Sequence, residues 1–285
     1  MTAAALALVL SAALAHAMWN YILKRARGGA GFMTLVALVS AILWAPIAFG
    51  VAVAQNYALQ PIHLVPILAS AAIHAAYFLL LDRGYRYGDL SVVYPLARAT
   101  GPLLTVVVAT IFLGERPGPF AIAGAIAVAL GAYLLTGNPL ALFSRNRPRG
   151  AGYALATGGM IALYTLVDKI AVSQYLIPPV IYDWACVALR VPFLFAFSRS
   201  HGALAESWRA DRRAIVLVAI LSPLAYILVL SAMVFTPVSY VAPAREVSIL
   251  FAALMGAHFL REGDAKRRLL AAGAIVLGVV GLARG

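Results

Sequence analysis

The chain has 285 residues, of which 64% are hydrophobic and 11% are charged, and its mean hydropathy is +0.93. Soluble globular proteins contain about 45–50% apolar and about 25% charged residues, so this composition excludes a soluble enzyme. The net charge of +12 would indicate a nucleic-acid partner only on a solvated basic surface, of which this chain has little. The predicted partners are therefore the lipid bilayer and a small molecule, with no nucleic acid.

Ten apolar blocks, each about as long as a helix that crosses a bilayer, follow one another along the chain. Charged, glycine or proline clusters separate them. Their expected ranges are 2–23, 31–54, 62–82, 90–113, 118–137, 150–172, 178–198, 213–235, 239–260 and 267–284. The first block lacks a preceding basic segment and an evident cleavage site, so it is predicted to be a retained span rather than a signal peptide. We expect an all-α integral membrane protein with ten transmembrane helices.

The Lys and Arg residues predict how this bundle is oriented. Sixteen of the 22 lie at connections that follow odd-numbered spans, two lie on the opposite side, and four fall within spans. Basic connections stay in the cytoplasm, so this bias places both termini on the outer, periplasmic side of the inner (plasma) membrane.

Three segments recur in the same order at a nearly constant spacing, which we interpret as a duplication. The matched pairs are AHAMWNYILKRA (15–26) with MIALYTLVDKIA (160–171), GDLSVVYPLAR (88–98) with TPVSYVAPAR (236–245), and ATIFLGE (109–115) with GAHFLRE (256–262). The predicted five-helix repeats span 1–143 and 144–285. Because five is an odd number, the second repeat enters the membrane from the other side. Inverted repeats with a substrate site near the midplane are typical of secondary transporters.

At these motifs the sequence resembles the EamA-type branch of the drug/metabolite transporter superfamily. The resemblance is carried by the WN-x3-K ending of the first span (Trp19, Asn20 and Lys24), the YGDLSVVYPLAR stretch, and the FLGE and FLRE span endings. It covers both repeats and implies a ten-helix permease. Ten-helix members of this family include amino-acid exporters, such as the YddG type that exports aromatic amino acids.

Polar and aromatic side chains inside the spans are the candidates for a substrate site, because a polar group at a span's centre usually faces a cavity or another polar group. In two spans a histidine is followed at i+3 and i+4 by aromatic or amide side chains, so these residues share one face of the helix. We predict that these two faces line one cavity, together with three further aromatic residues at comparable depth. They are His16, Trp19 and Asn20; His74, Tyr77 and Phe78; and Tyr164, Trp184 and Tyr226. The alternative is that each histidine bonds a neighbouring backbone carbonyl and each aromatic residue only packs.

Arginines in the fourth and ninth spans are predicted to bind a substrate carboxylate, which a guanidinium holds in a bidentate manner. Tyr94 and Arg98 share one stripe, followed by Gly101–Pro102, where a kink is expected. Arg245 stands at the related position of the second repeat, with Glu246 beside it. Inversion is expected to place Arg98 in the cytoplasmic half of the membrane and Arg245 in the outer half. The alternative is a structural ion pair with a carboxylate.

The remaining charges within the spans are interpreted as structural or coupling ion pairs. They are Asp168 with Lys169, Asp183 with Arg190 two turns along the same face, and Glu246 with an arginine. Asp168 or Glu246 would bind a coupling proton in surroundings that favour the neutral acid. Glu115 and Glu262 end their spans and are interpreted as interface residues. Small residues in the fifth and tenth spans predict close packing between those spans or in a homodimer, so both a monomer and a homodimer stay open.

Several chemistries are excluded by what the sequence lacks. It has no phosphate-loop, zinc-protease, nucleophile-elbow or dinucleotide-binding motif. Its single cysteine, Cys186, excludes an intrachain disulfide and a cysteine-based zinc site. We therefore predict that the chain is not an enzyme, that it uses no metal or cofactor, and that a proton or ion gradient supplies its energy.

These features together predict a secondary active transporter that exports small metabolites by alternating access between the two repeats. Amino acids with aromatic or other apolar side chains are the leading substrates, because aromatic walls suit stacking and edge contacts. One alternative is an exporter of lipophilic cations or drugs. Another is a non-transporting membrane subunit of a lipid-modifying or sensing complex.

Overall fold

The computed structural model describes residues 1–26, 29–87, 90–136, 148–197, 201–260 and 265–285, and within these ranges its regular secondary structure is helical. A short 3₁₀ turn, Pro61–His63, precedes the third helix. The helices are α1 Ala3–Arg25, α2 Ala30–Ala54, α3 Leu64–Tyr87, α4 Leu90–Phe112, α5 Pro119–Thr136, α6 Pro148–Ser173, α7 Pro179–Phe197, α8 His201–Phe235, α9 Val238–Arg245, α10 Val247–Leu260 and α11 Ala265–Arg284.

The predicted spans correspond to these helices, with the ninth span divided into α9 and α10. The Glu246 N–H donates to the Pro243 carbonyl at 3.0 Å, and the Ile249 N–H donates to the Glu246 carbonyl at 2.9 Å. These shorter 3₁₀-type bonds interrupt the α-helical pattern at a point where Pro243 also lacks an N–H. The second repeat therefore contains a broken helix, as in many secondary transporters.

The fourth span, in which a kink is expected, is a single helix through Gly101 and Pro102. A Cβ at Gly101 would lie 2.7 Å from Cγ2 of Ile161 on α6. Glycine at this position therefore allows close approach of α4 and α6.

Both termini lie at the same end of the bundle, because the N-terminal amine donates to the Ala283 carbonyl at 3.3 Å. Ten crossings require this arrangement, and the second set of five helices accordingly starts at the end opposite the first. We call the end with residues 1 and 285 the terminal end. The opposite end carries Lys24, Arg25, Arg86 and the start of α8, and we call it the basic end.

Backbones of α5 and α11 approach each other closely through glycine. A Cβ at Gly124 would lie 2.5 Å from the Gly278 carbonyl oxygen, and one at Gly278 would lie 2.7 Å from the Gly124 carbonyl oxygen. Small residues allow this approach, which strengthens van der Waals packing where lipid offers no hydrophobic driving force. The structure thus shows the packing predicted between the fifth and tenth spans.

A methyl group at Gly278 is expected to destabilise this contact. Gly278→Ala would overlap backbone atoms of α5, and overpacking of this kind costs about 1–3 kcal/mol. We expect the temperature at which detergent-solubilised protein loses its monodisperse peak to fall by about 5 °C. Gly273→Ala on the same helix is the matched control, since a Cβ there meets nothing within 4 Å. Equal melting temperatures for the two variants would contradict the packing role.

The buried apolar residues are continuous at the terminal end and divided at the basic end. One cluster at the terminal end joins helices of both repeats, from Val9 of α1 and Ala109 of α4 to Leu230 of α8 and Leu282 of α11. At the basic end, one cluster around Phe32 links α1, α2 and α8. A separate cluster there links α3, α4 and α6. The described bundle is therefore packed through at one end and split into two groups of helices at the other.

Candidate functional site

The two arginines predicted from the sequence meet at one carboxylate. Arg98 Nη2 lies 2.9 Å from Glu246 Oε2, and Arg245 Nε lies 3.9 Å from Glu246 Oε1. The Glu246 side chain is 1% exposed. Side chains from the first and the second repeat therefore converge on one carboxylate. We call these three residues the arginine–glutamate cluster.

This cluster carries an excess positive charge and unsatisfied polar atoms. Two guanidinium groups face one carboxylate, and although Arg98 and Glu246 are in contact, Glu246 Oε2 accepts no aligned hydrogen bond in the described structure. The buried atoms nearby that have no hydrogen-bond partner among the described residues are Trp19 Nε1, Arg98 Nε, Arg245 Nε and Ser248 Oγ. Buried polar groups are normally satisfied, so this concentration marks the cluster as a candidate binding site.

Aromatic rings from α3 and α6 form a second group. His74 stacks on Tyr164 with ring centroids 4.1 Å apart, and Tyr77 meets Tyr164 edge-on at 6.2 Å. His74, Tyr77 and Tyr164 are the aromatic cluster. The structure thus brings the α3 stripe together with a tyrosine of the second repeat, as the sequence predicts, while the Phe78 side chain lies outside the described residues.

The aromatic cluster adjoins the arginine–glutamate cluster. Tyrosines from several helices lie within electrostatic range of the two guanidinium groups. Those near Arg98 are Tyr77, Tyr94 and Tyr164, and those near Arg245 are Tyr164 and Tyr226. Tyr164 is therefore the member of the aromatic cluster that lies within electrostatic range of both guanidinium groups.

Tyr85 is a neighbour of this site that the sequence interpretation missed. It lies within electrostatic range of Tyr94 and Arg98, and it is 37% exposed. It lies eleven residues, or about three helical turns, after His74 on the same stripe of α3. Extending the helical periodicity of that stripe would therefore have identified it.

The predicted face of α1 also borders the arginines. His16 and Trp19 make an edge contact with centroids 4.9 Å apart, and His16 lies within electrostatic range of Arg98 and Arg245. The Asn20 amide donates to the His16 carbonyl at 2.7 Å. Asn20 is thus satisfied by its own helix, while the buried Trp19 indole N–H has no partner among the described residues.

Two other predicted residues donate their ring N–H to the backbone. Nδ1 of His74 donates to the Ser70 carbonyl at 2.8 Å, which is the backbone-bonded alternative for that histidine. The Trp184 indole N–H donates to the Ala41 carbonyl of α2 at 2.9 Å. The contact of Trp184 favours a role in packing α7 against α2 over substrate binding.

The predicted ion pair between Asp168 and Lys169 does not form. Asp168 accepts from the hydroxyl groups of Tyr182, at 2.6 Å, and Tyr226. Lys169 donates to the carbonyls of Met233, at 2.6 Å, and Thr236, at 3.1 Å, at the end of α8. The physical reason is that adjacent helix residues point in different directions, so Asp168 and Lys169 cannot face the same partner.

Asp183 and Arg190 do not lie at ion-pair distance in the described structure, although Arg190 is within electrostatic range of Asp183. Nε of Arg190 turns back and donates to the Cys186 carbonyl at 3.1 Å. Within the described residues neither Asp183 nor Asp168 has a Lys or Arg nitrogen at ion-pair distance. Glu246 does form the ion pair that was the alternative for both arginines.

Glu115 performs a role that the sequence did not predict. Its Oε1 accepts from the Val238 N–H at 2.8 Å, and its Oε2 accepts from the Ser239 N–H at 2.9 Å. One carboxylate of the first repeat thereby caps the start of α9 in the second. No local pattern could reveal a contact between residues more than 120 positions apart. Glu262, the related residue of the second repeat, lies outside the described residues.

A surface groove opens between α3 and α6 at the basic end, apart from these clusters. Its lining residues are Leu80, Tyr87, Gly152, Tyr153 and Ala156. Tyr87 and Tyr153 stack there with centroids 5.6 Å apart. None of its described lining residues carries a charge.

Comparison with known proteins gives a family and a fold. The model of the EamA-like transporter family matches twice, at residues 3–137 and 148–284. One crystal structure that is 18% identical in sequence superposes with a TM-score of 0.76, covering 99% of this chain and 96% of that chain. At that identity the similarity shows the fold alone. No curated protein matches the sequence. The predicted boundary between the two repeats, at residues 143 and 144, lies outside the described residues.

Proposed function

Because the chain belongs to the EamA-like transporter family and is thus a multi-pass membrane transporter of the drug/metabolite type, we propose that it exports amino acids with aromatic or apolar side chains. The observation that supports this proposal is the proximity of the aromatic cluster to the arginine–glutamate cluster, since Tyr164 lies within electrostatic range of both guanidinium groups. Charged groups for a zwitterion and rings for an apolar side chain stand side by side in the middle of the bundle.

Arg245 is the proposed partner of the substrate carboxylate. It touches Glu246 only at 3.9 Å and its Nε has no hydrogen-bond partner among the described residues, so it is less engaged than Arg98. Glu246 then accepts from the substrate ammonium group. The side chain of the substrate packs on Tyr77 and Tyr164, where offset or edge contacts between rings add about 0.5–1.5 kcal/mol beyond burial. The excess positive charge disfavours a lipophilic cation.

Alternating access is proposed from the uneven packing of the two ends. The terminal end is closed by one apolar cluster that joins both repeats, whereas the helices at the basic end form separate clusters. Such a conformation loads from the basic end. The excess of Lys and Arg assigns that end to the cytoplasm, so loading there and release on the other side of the inner membrane amounts to export.

Transport in proteoliposomes tests the function directly. Purified protein is reconstituted with an internal unlabelled amino acid, and entry of the same labelled amino acid is followed over a panel of side chains. We expect counterflow for aromatic and apolar members and much slower entry of acidic ones. Failure to move any substrate faster than protein-free vesicles, under proton or sodium gradients, would contradict the proposal.

The aromatic cluster predicts the effect of Tyr77→Ala. Loss of the ring removes one wall of the site, so the transport efficiency for tryptophan or phenylalanine should fall about tenfold, and that for alanine should change little. Tyr77→Phe is the matched control, because it keeps the ring and removes only the hydroxyl. Unchanged kinetics in Tyr77→Ala, with normal expression, would show that the ring does not contact substrate.

A further inference from the structure

Asp168 of α6 is a buried carboxylate held between tyrosines of two other helices. It is 0% exposed; Tyr182 of α7 donates to Oδ1 at 2.6 Å and Tyr226 of α8 donates to Oδ2. A tyrosine hydroxyl can donate to a carboxylate or accept from a carboxylic acid. This arrangement can therefore satisfy Asp168 both with and without a proton.

The charged groups around Asp168 supply no fixed positive partner. Titratable groups within its electrostatic range are contributed by α3, α7 and α8. They are His74, Tyr182, Asp183, Cys186 and Tyr226. Arg190 lies within electrostatic range of Asp183 and His74, and Arg245 within that of His74 and Tyr226, but the basic residues of the packed helices bind other groups. Lys169 binds carbonyls of α8, Arg190 binds the Cys186 carbonyl, and Arg98 and Arg245 face Glu246.

Asp183 of α7 is a second buried carboxylate in this region. It is 3% exposed and, like Asp168, has no ion-pair partner within the described part of the chain. Two carboxylates within electrostatic range of each other disfavour simultaneous ionisation. A charged side chain in the middle of a bilayer also costs about 2.5–3.5 kcal/mol or more, so a proton can replace the missing cation.

Tyr226 links Asp168 to the substrate site. Its hydroxyl bonds Asp168, and the same residue lies within electrostatic range of Arg245. When Asp168 is ionised, its carboxylate accepts a hydrogen bond from the Tyr226 hydroxyl group. When Asp168 gains a proton, the new carboxyl O–H can donate to the tyrosine oxygen, and the region loses a negative charge that attracts the substrate ammonium group. A proton at Asp168 and a substrate in the site therefore disfavour each other, as exchange of one for the other requires.

We propose that Asp168 binds the coupling proton, which enters as substrate leaves. The inference rests on the proposed export function and deepens it by naming the driving ion and its residue. The proton carried by Asp168 crosses in one direction and is released to water on the other side, so no further reactant is required.

The test compares two transport modes in the same proteoliposomes. Counterflow without any gradient measures transport itself, and accumulation under a pH gradient of one unit, with the membrane potential clamped, measures coupling. For one proton exchanged per substrate, wild type should accumulate substrate about tenfold. Asp168→Asn should lose this response, so that its accumulation ratio falls to one. Asp82→Asn, which alters an exposed carboxylate paired with Arg86, is the matched control and should behave as wild type.

Proton movement in wild type provides a readout that does not depend on folding of the variant. A trapped pH-sensitive dye should report proton flux when a substrate gradient is imposed. Tyr226→Phe, which keeps the ring, should lower this flux per substrate transported. Three results would overturn the inference. Proton coupling could survive in Asp168→Asn, it could be lost in Asp183→Asn while Asp168→Asn keeps it, or a sodium gradient rather than a pH gradient could drive accumulation. Absence of counterflow in wild type would instead refute the proposed export function.

Discussion

Arg245→Gln is expected to lower the transport efficiency for amino acids with a free carboxylate by at least about 30-fold. Removing one member of a buried, hydrogen-bonded charge pair costs about 2–5 kcal/mol, because the other charge stays buried without its partner. Here that other charge is the substrate carboxylate. The same variant should change transport of the corresponding amino-acid amides by less than about threefold, since the amide carries no charge for Arg245 to balance.

Arg98→Gln is the matched comparison for this prediction. Arg98 lies 2.9 Å from Glu246, so its removal leaves that carboxylate in contact with Arg245 alone. We expect similar losses on free and amidated substrates, which is the signature of a structural role. Initial counterflow rates over a concentration series would separate the two variants. Equal losses on both substrates for Arg245→Gln would show that this arginine, too, acts only on the structure.

The spans could be predicted from the sequence because the bilayer imposes a simple rule. A helix that crosses it needs about 20 apolar residues, and charged or glycine-rich clusters mark where each helix stops. The break at Glu246 escaped prediction for a related reason. Residues 239–260 form one apolar block, and hydropathy registers neither the missing N–H of Pro243 nor the shorter hydrogen bonds around it.

The site residues could be predicted only as faces of single helices. Spacing placed His16 with Trp19 and His74 with Tyr77, and the structure shows both groups beside the arginines. Which helix faces which depends on tertiary packing, and no spacing encodes it. The sequence therefore joined Asp168 to its neighbour Lys169, whereas tyrosines of α7 and α8 are its actual partners.

Two charged groups bind the α8–α9 connection at the terminal end, and one of them, Glu115, joins the two repeats there. Lys169 binds the final carbonyls of α8, and Glu115 binds the first N–H groups of α9. Each charge has the sign that the helix end prefers, positive at the C-terminus and negative at the N-terminus. In the proposed alternating-access cycle, release of substrate at this end separates Glu115 from α9, so weakening that contact should favour the conformation that is open there.

Glu115→Ala is expected to expose the start of α9 to reagents on the terminal side. The variant loses two charge-assisted hydrogen bonds, worth about 1.5–3 kcal/mol each, that exist only while the end is closed. A shift of about 2 kcal/mol raises the open population about 30-fold. The readout is the labelling rate of Ser239→Cys by a membrane-impermeant thiol reagent in a Cys186→Ala background. Ser239 is 1% exposed in the closed conformation, so labelling reports opening directly.

Glu206→Ala is the control, because Glu206 is an exposed carboxylate near the basic end on α8. It should leave the labelling rate at Ser239→Cys unchanged. Glu115→Gln should fall between wild type and Glu115→Ala, since its amide oxygen can still accept from one N–H of α9 but carries no charge for the helix end. If a correctly folded Glu115→Ala protein is labelled no faster than wild type, closure of the terminal end rests on its apolar cluster rather than on this carboxylate.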